Sequence, residues 1–298
     1  MSWYSDYKKS LKMLEVEEIF DLFFYRPLAF VLVKIIYRTN ITPNQLTIGA
    51  IIMGVIGGYF YAQGTPLSPT PFIVGALFFM MFNILDCSDG QLARLKKNGT
   101  RTGRIIDGLA DYIAVIAVYI GIGIGFANNT NNPALYWGLL AITGASITLQ
   151  AILVDYYRNR FLDYVLERKS TFEEDLDEFR QEYESIKNKK GKWFDRTIIS
   201  IYLKYSGFQN NLAAKKNSEK LFKATSADFY AKNKTIIRFW VLLGPTSQIT
   251  ILILCSIFNH FDIYFWIMIV GFNSMALINW LVQKRIDKGF RVISGITE

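Results

Sequence analysis

Apolar positions gather in six long blocks along the chain, near 45–63, 71–94, 103–126, 134–156, 239–258 and 261–283. Each is long enough to cross the hydrocarbon layer as a helix, which takes roughly 17 to 25 residues. The pattern predicts an all-α, polytopic membrane protein with six transmembrane helices. Thr42-Pro43-Asn44-Gln45 just before the first block reads as a helix start, with Thr42 as cap and Pro43 in the first turn.

Two stretches break this rhythm. Residues 3–38 interleave Trp3, Tyr4, Tyr7, Leu11, Leu14, Ile19, Phe20, Phe23 and Phe24 with charges, then run from Arg26-Pro27-Leu28 to Arg38. This predicts an N-terminal amphipathic helix lying in the membrane interface. Residues 27–37, interrupted by Lys34, are too short to span. The second stretch, 157–235, loses apolar content and gains charge. Within it Thr171 to Glu174 forms a capping-box pattern, followed by Phe172, Leu176, Phe179, Tyr183 and Ile186 on one helical stripe. Trp193 to Tyr205 is a second amphipathic stretch, and Gln209 to Lys220 a polar link. The expected organisation is an interfacial segment at 1–40, spans one to four at 41–156, an insert at 157–235, and spans five and six with a tail at 236–298. A cap over the site, a docking surface and a solvated insert are all open for 157–235.

Composition agrees with the pattern: 51% hydrophobic residues, 15% aromatic and a mean hydropathy of +0.21 are too apolar for a soluble domain of 298 residues. The formal charge of +8 could suggest nucleic acid, but its placement excludes that. Loops 64–70, 127–133 and 259–260 hold no Lys or Arg, whereas Lys96, Lys97, Arg101, Arg158, Arg160, Lys284, Arg285 and Lys288 fall on the opposite side. Both termini are therefore expected in the cytosol, with the basic residues facing anionic lipid heads. No removable signal peptide is expected. Cys87 and Cys255 read as packing residues, and His260, the sole histidine, leaves no Ser-His or His-rich zinc chemistry. Gly54 and Gly58 in the first span, with Gly121, Gly123 and Gly125 in the third, allow close helix approach, either within the chain or between subunits.

One feature carries chemistry. The run from 86 to 111 reads Asp86-x2-Asp89-Gly90-x2-Ala93-Arg94-x8-Gly103-x3-Asp107-x3-Asp111. If 95–102 form the turn of a helical hairpin, Asp89 and Asp86 lie roughly 8 and 12 Å before Arg94, while Asp107 and Asp111 lie roughly 6 and 12 Å after Gly103. The acids then pair by depth across the hairpin, and the two acids on each helix share one face of it. Clustered carboxylates in a low-dielectric cavity repel unless a cation neutralises them. An all-oxygen donor set favours Mg²⁺ or Mn²⁺, and four acids can hold two ions, the usual clamp for displacement at phosphorus. Gly90 and Gly103 leave room for a phosphate, Ala93 keeps the cleft open, Arg94 offers a fork to phosphate oxygens, and Asp111 can accept a proton. An ion pathway or proton relay is the competing use of such acids.

These eight positions resemble the signature of the CDP-alcohol phosphotransferase family. The resemblance implies a substituted phosphate moved from a CDP-linked donor to an alcohol, with CMP released, in a homodimer open to the cytosol. It implies metal binding by Asp86, Asp89, Asp107 and Asp111, with Asp111 also the general base. Gly90, Ala93, Arg94 and Gly103 would hold the cytidine diphosphate. The Pro43-Asn44 turn is similar to one that borders the family's nucleotide pocket, which adds Asn44 and Thr47. Two chemistries share the signature: CDP-diacylglycerol donating to a small polar acceptor, which a six-span chain of this length favours, or CDP-choline or CDP-ethanolamine donating to diacylglycerol. Members using inositol phosphate often have arginine after the last aspartate, and Tyr112 stands here instead. Arg104, Arg158 and Arg160 could hold an acceptor phosphate or simply orient the bundle.

Overall fold

The computed structural model describes residues 7, 13–99, 101–166, 171–187, 189, 193, 196–197, 199–200, 203 and 225–293. The elements among them are helical, apart from an isolated bridge between Thr65 and Ser68. A helix α1 (Arg26–Ile36) precedes α2 (Pro43–Gln63), α3 (Thr70–Lys96), α4 (Arg101–Gly125) and α5 (Pro133–Val165). Then come α6 (Thr171–Ile186), α7 (Ser226–Val241), α8 (Pro245–Ile257), α9 (Phe261–Trp266) and α10 (Asn273–Ile293). Among the described residues, six helical units are long and apolar enough to cross a membrane: 43–63, 70–96, 105–129, 133–165, 226–257 and 261–290.

Helix α2 is the central support. It starts as its sequence predicts, because the Thr42 side chain accepts from Gln45 N–H while the Gln45 side chain accepts from Thr42 N–H. It packs extensively on both α3 and α4, whereas α3 and α4 scarcely touch each other. The contact with α4 is made at backbone level: a Cβ at Gly58 would lie 2.5 Å from the Ala117 carbonyl oxygen, and one at Gly121 would fall on the Gly58 carbonyl oxygen. Small residues here serve packing within the chain. The core around them is aromatic, with Tyr61, Phe72, Phe79, Phe82 and Phe261 all buried.

The fourth and fifth units run furthest beyond their apolar blocks. The fourth continues to Val165 and the fifth begins at Ser226, because each extension carries an aromatic face that the other covers. Tyr157 stacks on Trp240 with ring centroids 4.2 Å apart, and Tyr164 stacks on Phe229 at 4.2 Å. Arg160 forks onto Asp287 at 2.6 and 2.9 Å, tying α5 to α10. The fifth unit is also broken: α7 stops at Val241 and α8 restarts at Pro245, with Gly244 as N-cap.

The N-terminal segment is not one uniform amphipathic helix. A short turn at Leu14–Val16 and a π-helical turn at Asp21–Tyr25 lead into α1. Its outward side is apolar, with Phe23 80% and Ile35 72% exposed, while Glu17, Glu18, Asp21 and Arg26 are buried. The charges face inward because they find partners there. Arg26 pairs with Glu17 at 2.7 Å, and Glu18 accepts from Ser247 N–H at 3.0 Å. In the insert, Phe179 and Ile186 of α6 pack with Ile199 against Ile105 at the start of α4. Only scattered residues of Trp193 to Tyr205 are described, and Gln209 to Lys220 lie outside the described residues.

Candidate active site

The end of α3 and the start of α4 diverge around a cavity of about 980 Å³. Its wall carries Asp86, Asp89, Asp107 and Asp111, together with Gly90, Ala93 and Arg94. One oxygen each from Asp86, Asp89 and Asp107 lie within 4.8 Å of one another, a spacing suited to a shared metal ion. Asp111, one turn beyond Asp107, stands outside that set and is more exposed, yet close enough to bear electrostatically on Asp86. The acids thus converge as three and one, where spacing alone predicts two pairs.

Why the acids are held apart from solvent yet not collapsed follows from their supports. Helices α3 and α4 lean on α2 rather than on each other, so a gap persists between the two like-charged faces. Thr47 of α2 reaches across to Asp89: its Oγ1 lies 2.5 Å from Oδ2 of Asp89 and 3.2 Å from the Pro43 carbonyl oxygen. On the α3 side, Gln91 donates to the Arg26 carbonyl at 3.1 Å, and Lys96 donates to the carbonyls of Thr39 and Ile41, each at 2.9 Å. The Arg94 guanidinium lies over the Gly90 backbone, where a Cβ would meet Nη1 at 3.4 Å.

A hard cation fits this donor set. The three converging groups are carboxylates, with a hydroxyl orienting one of them, and Mg²⁺ or Mn²⁺ prefers such oxygens. Asp86, Asp89 and Asp107 would hold it. Of the other residues predicted from sequence, Thr47 acts through Asp89, while neither Asn44 nor Gly103 is found among the described residues that wall the cavity. Arg158 is on the wall; Arg160, engaged with Asp287, is not; and the side chain of Arg104 is outside the described ones.

Against this geometry the comparisons are specific. The CDP-alcohol phosphatidyltransferase family matches residues 40–168, which contain α2 to α5 and all four aspartates. Residues 40–168 are thus similar to a CDP-alcohol phosphatidyltransferase domain. Over 129 residues the chain is 27% identical to the bifunctional IPC transferase and DIPP synthase of Thermococcus kodakarensis, covering 41% of this chain and 25% of that protein. Over 93 residues it is 32% identical to the archaetidylinositol phosphate synthase of Pyrococcus horikoshii, covering 31% of this chain and 46% of that protein. The chain thus spans between a quarter and just under half of the curated relatives it matches.

Residues 40–168 do not enclose the cavity alone. Glu17, Glu18, Asp21 and Arg26 from the N-terminal segment, and Thr246 and Gln248 from α8, complete the wall. The expected interfacial amphipathic helix did not foresee these inward-facing charges. The available signal was Glu17 and Asp21 at i, i+4 within a run otherwise dominated by apolar and aromatic residues. Burial pushes the Glu18 carboxyl up to about 8 and Asp21 adds to the rise, against the opposing pull of Arg158 and the Ser247 hydrogen bonds. Asp21 is raised too, again through burial.

Proposed function

We propose that the protein is an integral-membrane transferase of phospholipid synthesis that moves a phosphatidyl group from CDP-diacylglycerol to a small polar alcohol and releases CMP. The observation carrying this reading is the convergence of Asp86, Asp89 and Asp107 within 4.8 Å on the wall of a large cavity beside Gly90 and Arg94. In it, Asp86, Asp89, Asp107 and Asp111 would hold two ions of Mg²⁺ or Mn²⁺. When bound, these ions offset negative charge on the diphosphate and the departing CMP. Gly90, Ala93, Arg94 and Gly103 receive the cytidine diphosphate, with Asn44 and Thr47 bordering it; Arg94 donates to phosphate oxygens. Asp111, held apart from the other three, takes the proton of the acceptor hydroxyl as its oxygen bonds to the lipid-bearing phosphorus and the bond to CMP breaks.

The relative named archaetidylinositol phosphate synthase supports a lipid-linked donor and a polar acceptor. Tyr112, 67% exposed, occupies the position after Asp111 and argues against inositol phosphate as that acceptor. The distribution of Lys and Arg supports a site and both termini facing the cytosol, and family resemblance supports a homodimer.

The test supplies purified protein with labelled CDP-diacylglycerol, Mg²⁺ or Mn²⁺ and a panel of alcohols, and separately CDP-choline or CDP-ethanolamine with diacylglycerol. Metal-dependent CMP and a new phospholipid in the first arm are the expected result. Product only in the second arm would reverse donor and acceptor, and solute flux without CMP would replace the reading with transport.

A further inference from the structure

Arg26 belongs to the N-terminal segment, outside residues 40–168, yet it stands on the wall of the cavity together with Arg94. Its side chain is 8% exposed and is held along one edge. Nη2 pairs with Glu17 at 2.7 Å, and Nε faces Asp21 at 4.0 Å. Gln91 of α3 fixes the backbone of the same residue by donating to the Arg26 carbonyl at 3.1 Å. Two elements thus set where this guanidinium lies.

The remaining nitrogen is different. Nη1 of Arg26 is buried and has no hydrogen-bond partner within the protein. Shielding the N–H groups of a cation from water without giving them an acceptor costs free energy. Arg26 is also near enough to Arg94 to act on it electrostatically, and two guanidinium groups repel. A neutral hydroxyl would supply an acceptor but leave the repulsion. A phosphate group relieves both at once, because it is negative and its several oxygens can serve two guanidinium groups together.

We infer that Arg26, through Nη1, binds a phosphate oxygen of a substrate alongside Arg94. The inference rests on the functional reading above and adds to it a binding residue from outside the stretch that matches the family. The phosphate could come from the diphosphate of the CDP-linked donor or from a phosphorylated acceptor.

Binding is measured by calorimetry on detergent-purified protein in Mg²⁺, with CDP, glycerol 3-phosphate and cytidine as probes. The proteins are wild type, Arg26→Gln and the paired variant Glu17→Gln/Arg26→Gln. The paired variant keeps the net charge of the wall and leaves no acid stranded, so it serves where Arg26→Gln alone does not fold. In both variants CDP or glycerol 3-phosphate should bind at least about tenfold more weakly, while cytidine binds as in wild type. The probe that weakens identifies the source of the phosphate. Wild-type affinity for both phosphate probes in the paired variant, cytidine lost in step with CDP, or a wild type that binds neither phosphate probe overturns the inference. Absence of CMP release from CDP-diacylglycerol by wild type would instead sink the functional reading, and the binding comparisons would still decide the role of Arg26.

Discussion

The hydroxyl of Thr47 on α2 lies 2.5 Å from a carboxylate oxygen of Asp89 on α3, two residues 42 positions apart in sequence. One hydrogen bond thus sets the direction of an acid in the three-carboxylate set from a helix that carries no acid itself.

Thr47→Val keeps the size of the side chain and removes that bond. Divalent-ion affinity, followed by Mn²⁺ titration of the purified protein, should fall about 10- to 100-fold, as for other groups that orient metal ligands. Thr47→Ser should stay near wild type. Equal affinities in all three proteins would show that Asp89 needs no such orientation.

Asp111 stands apart from the converging acids, so its loss should separate two functions. Asp111→Asn should retain Mn²⁺ binding at the other three carboxylates while CMP release falls by about 10²- to 10⁴-fold. Asp107→Asn should lose both. Turnover unchanged in Asp111→Asn would remove its role as proton acceptor.

The α2–α4 contact leaves no room at Gly121, where a Cβ falls on the Gly58 carbonyl oxygen. Gly121→Ala should destabilise the bundle by about 1–3 kcal/mol, seen as a lower melting temperature in detergent. Gly138→Ala, with open space around it, is the control and should match or slightly exceed wild type. A neutral Gly121→Ala would mean that the two helices are free to separate.

Glu18 gives a pH dependence whose sign can be worked out. Its carboxyl is raised to about 8 in the folded protein, above its ordinary value of 4.5. Between those values the folded state holds more protons than the unfolded one, so this group's contribution to stability falls as pH rises and levels off above about 8. Asp21, also raised, and Arg158 at 3.7 Å share the surroundings of this group. Melting temperatures from pH 5 to 9 should decline less in Glu18→Gln than in wild type. Parallel profiles would place the titration elsewhere.

The six apolar blocks and the four aspartates were legible because each is a local pattern: span length in one case, helical spacing on a face in the other. Thr42, Pro43 and Gln45 likewise announced the start of α2 in four consecutive residues. What escaped depends on distant partners. Glu18 looks like a residue for water until Ser247 and Arg158 are placed beside it, and Tyr164 looks like part of the charged insert until Phe229 stacks on it. The break before Pro245 was written in the chain as Gly244-Pro245, a turn signal submerged in a continuous apolar block. The three-plus-one arrangement of the acids escaped for another reason: helical rise gives depth, but the gap between α3 and α4 is set by how each leans on α2.

The bond from Ser247 to Glu18 joins residues 229 positions apart, and it has a consequence for biosynthesis. Glu18 is made before the Ser247 that donates to it. Until the Gly244-Pro245 break has been translated and inserted, that wall of the reaction chamber has nothing to close against. A segment made earlier is therefore held back from its final place until a later one arrives.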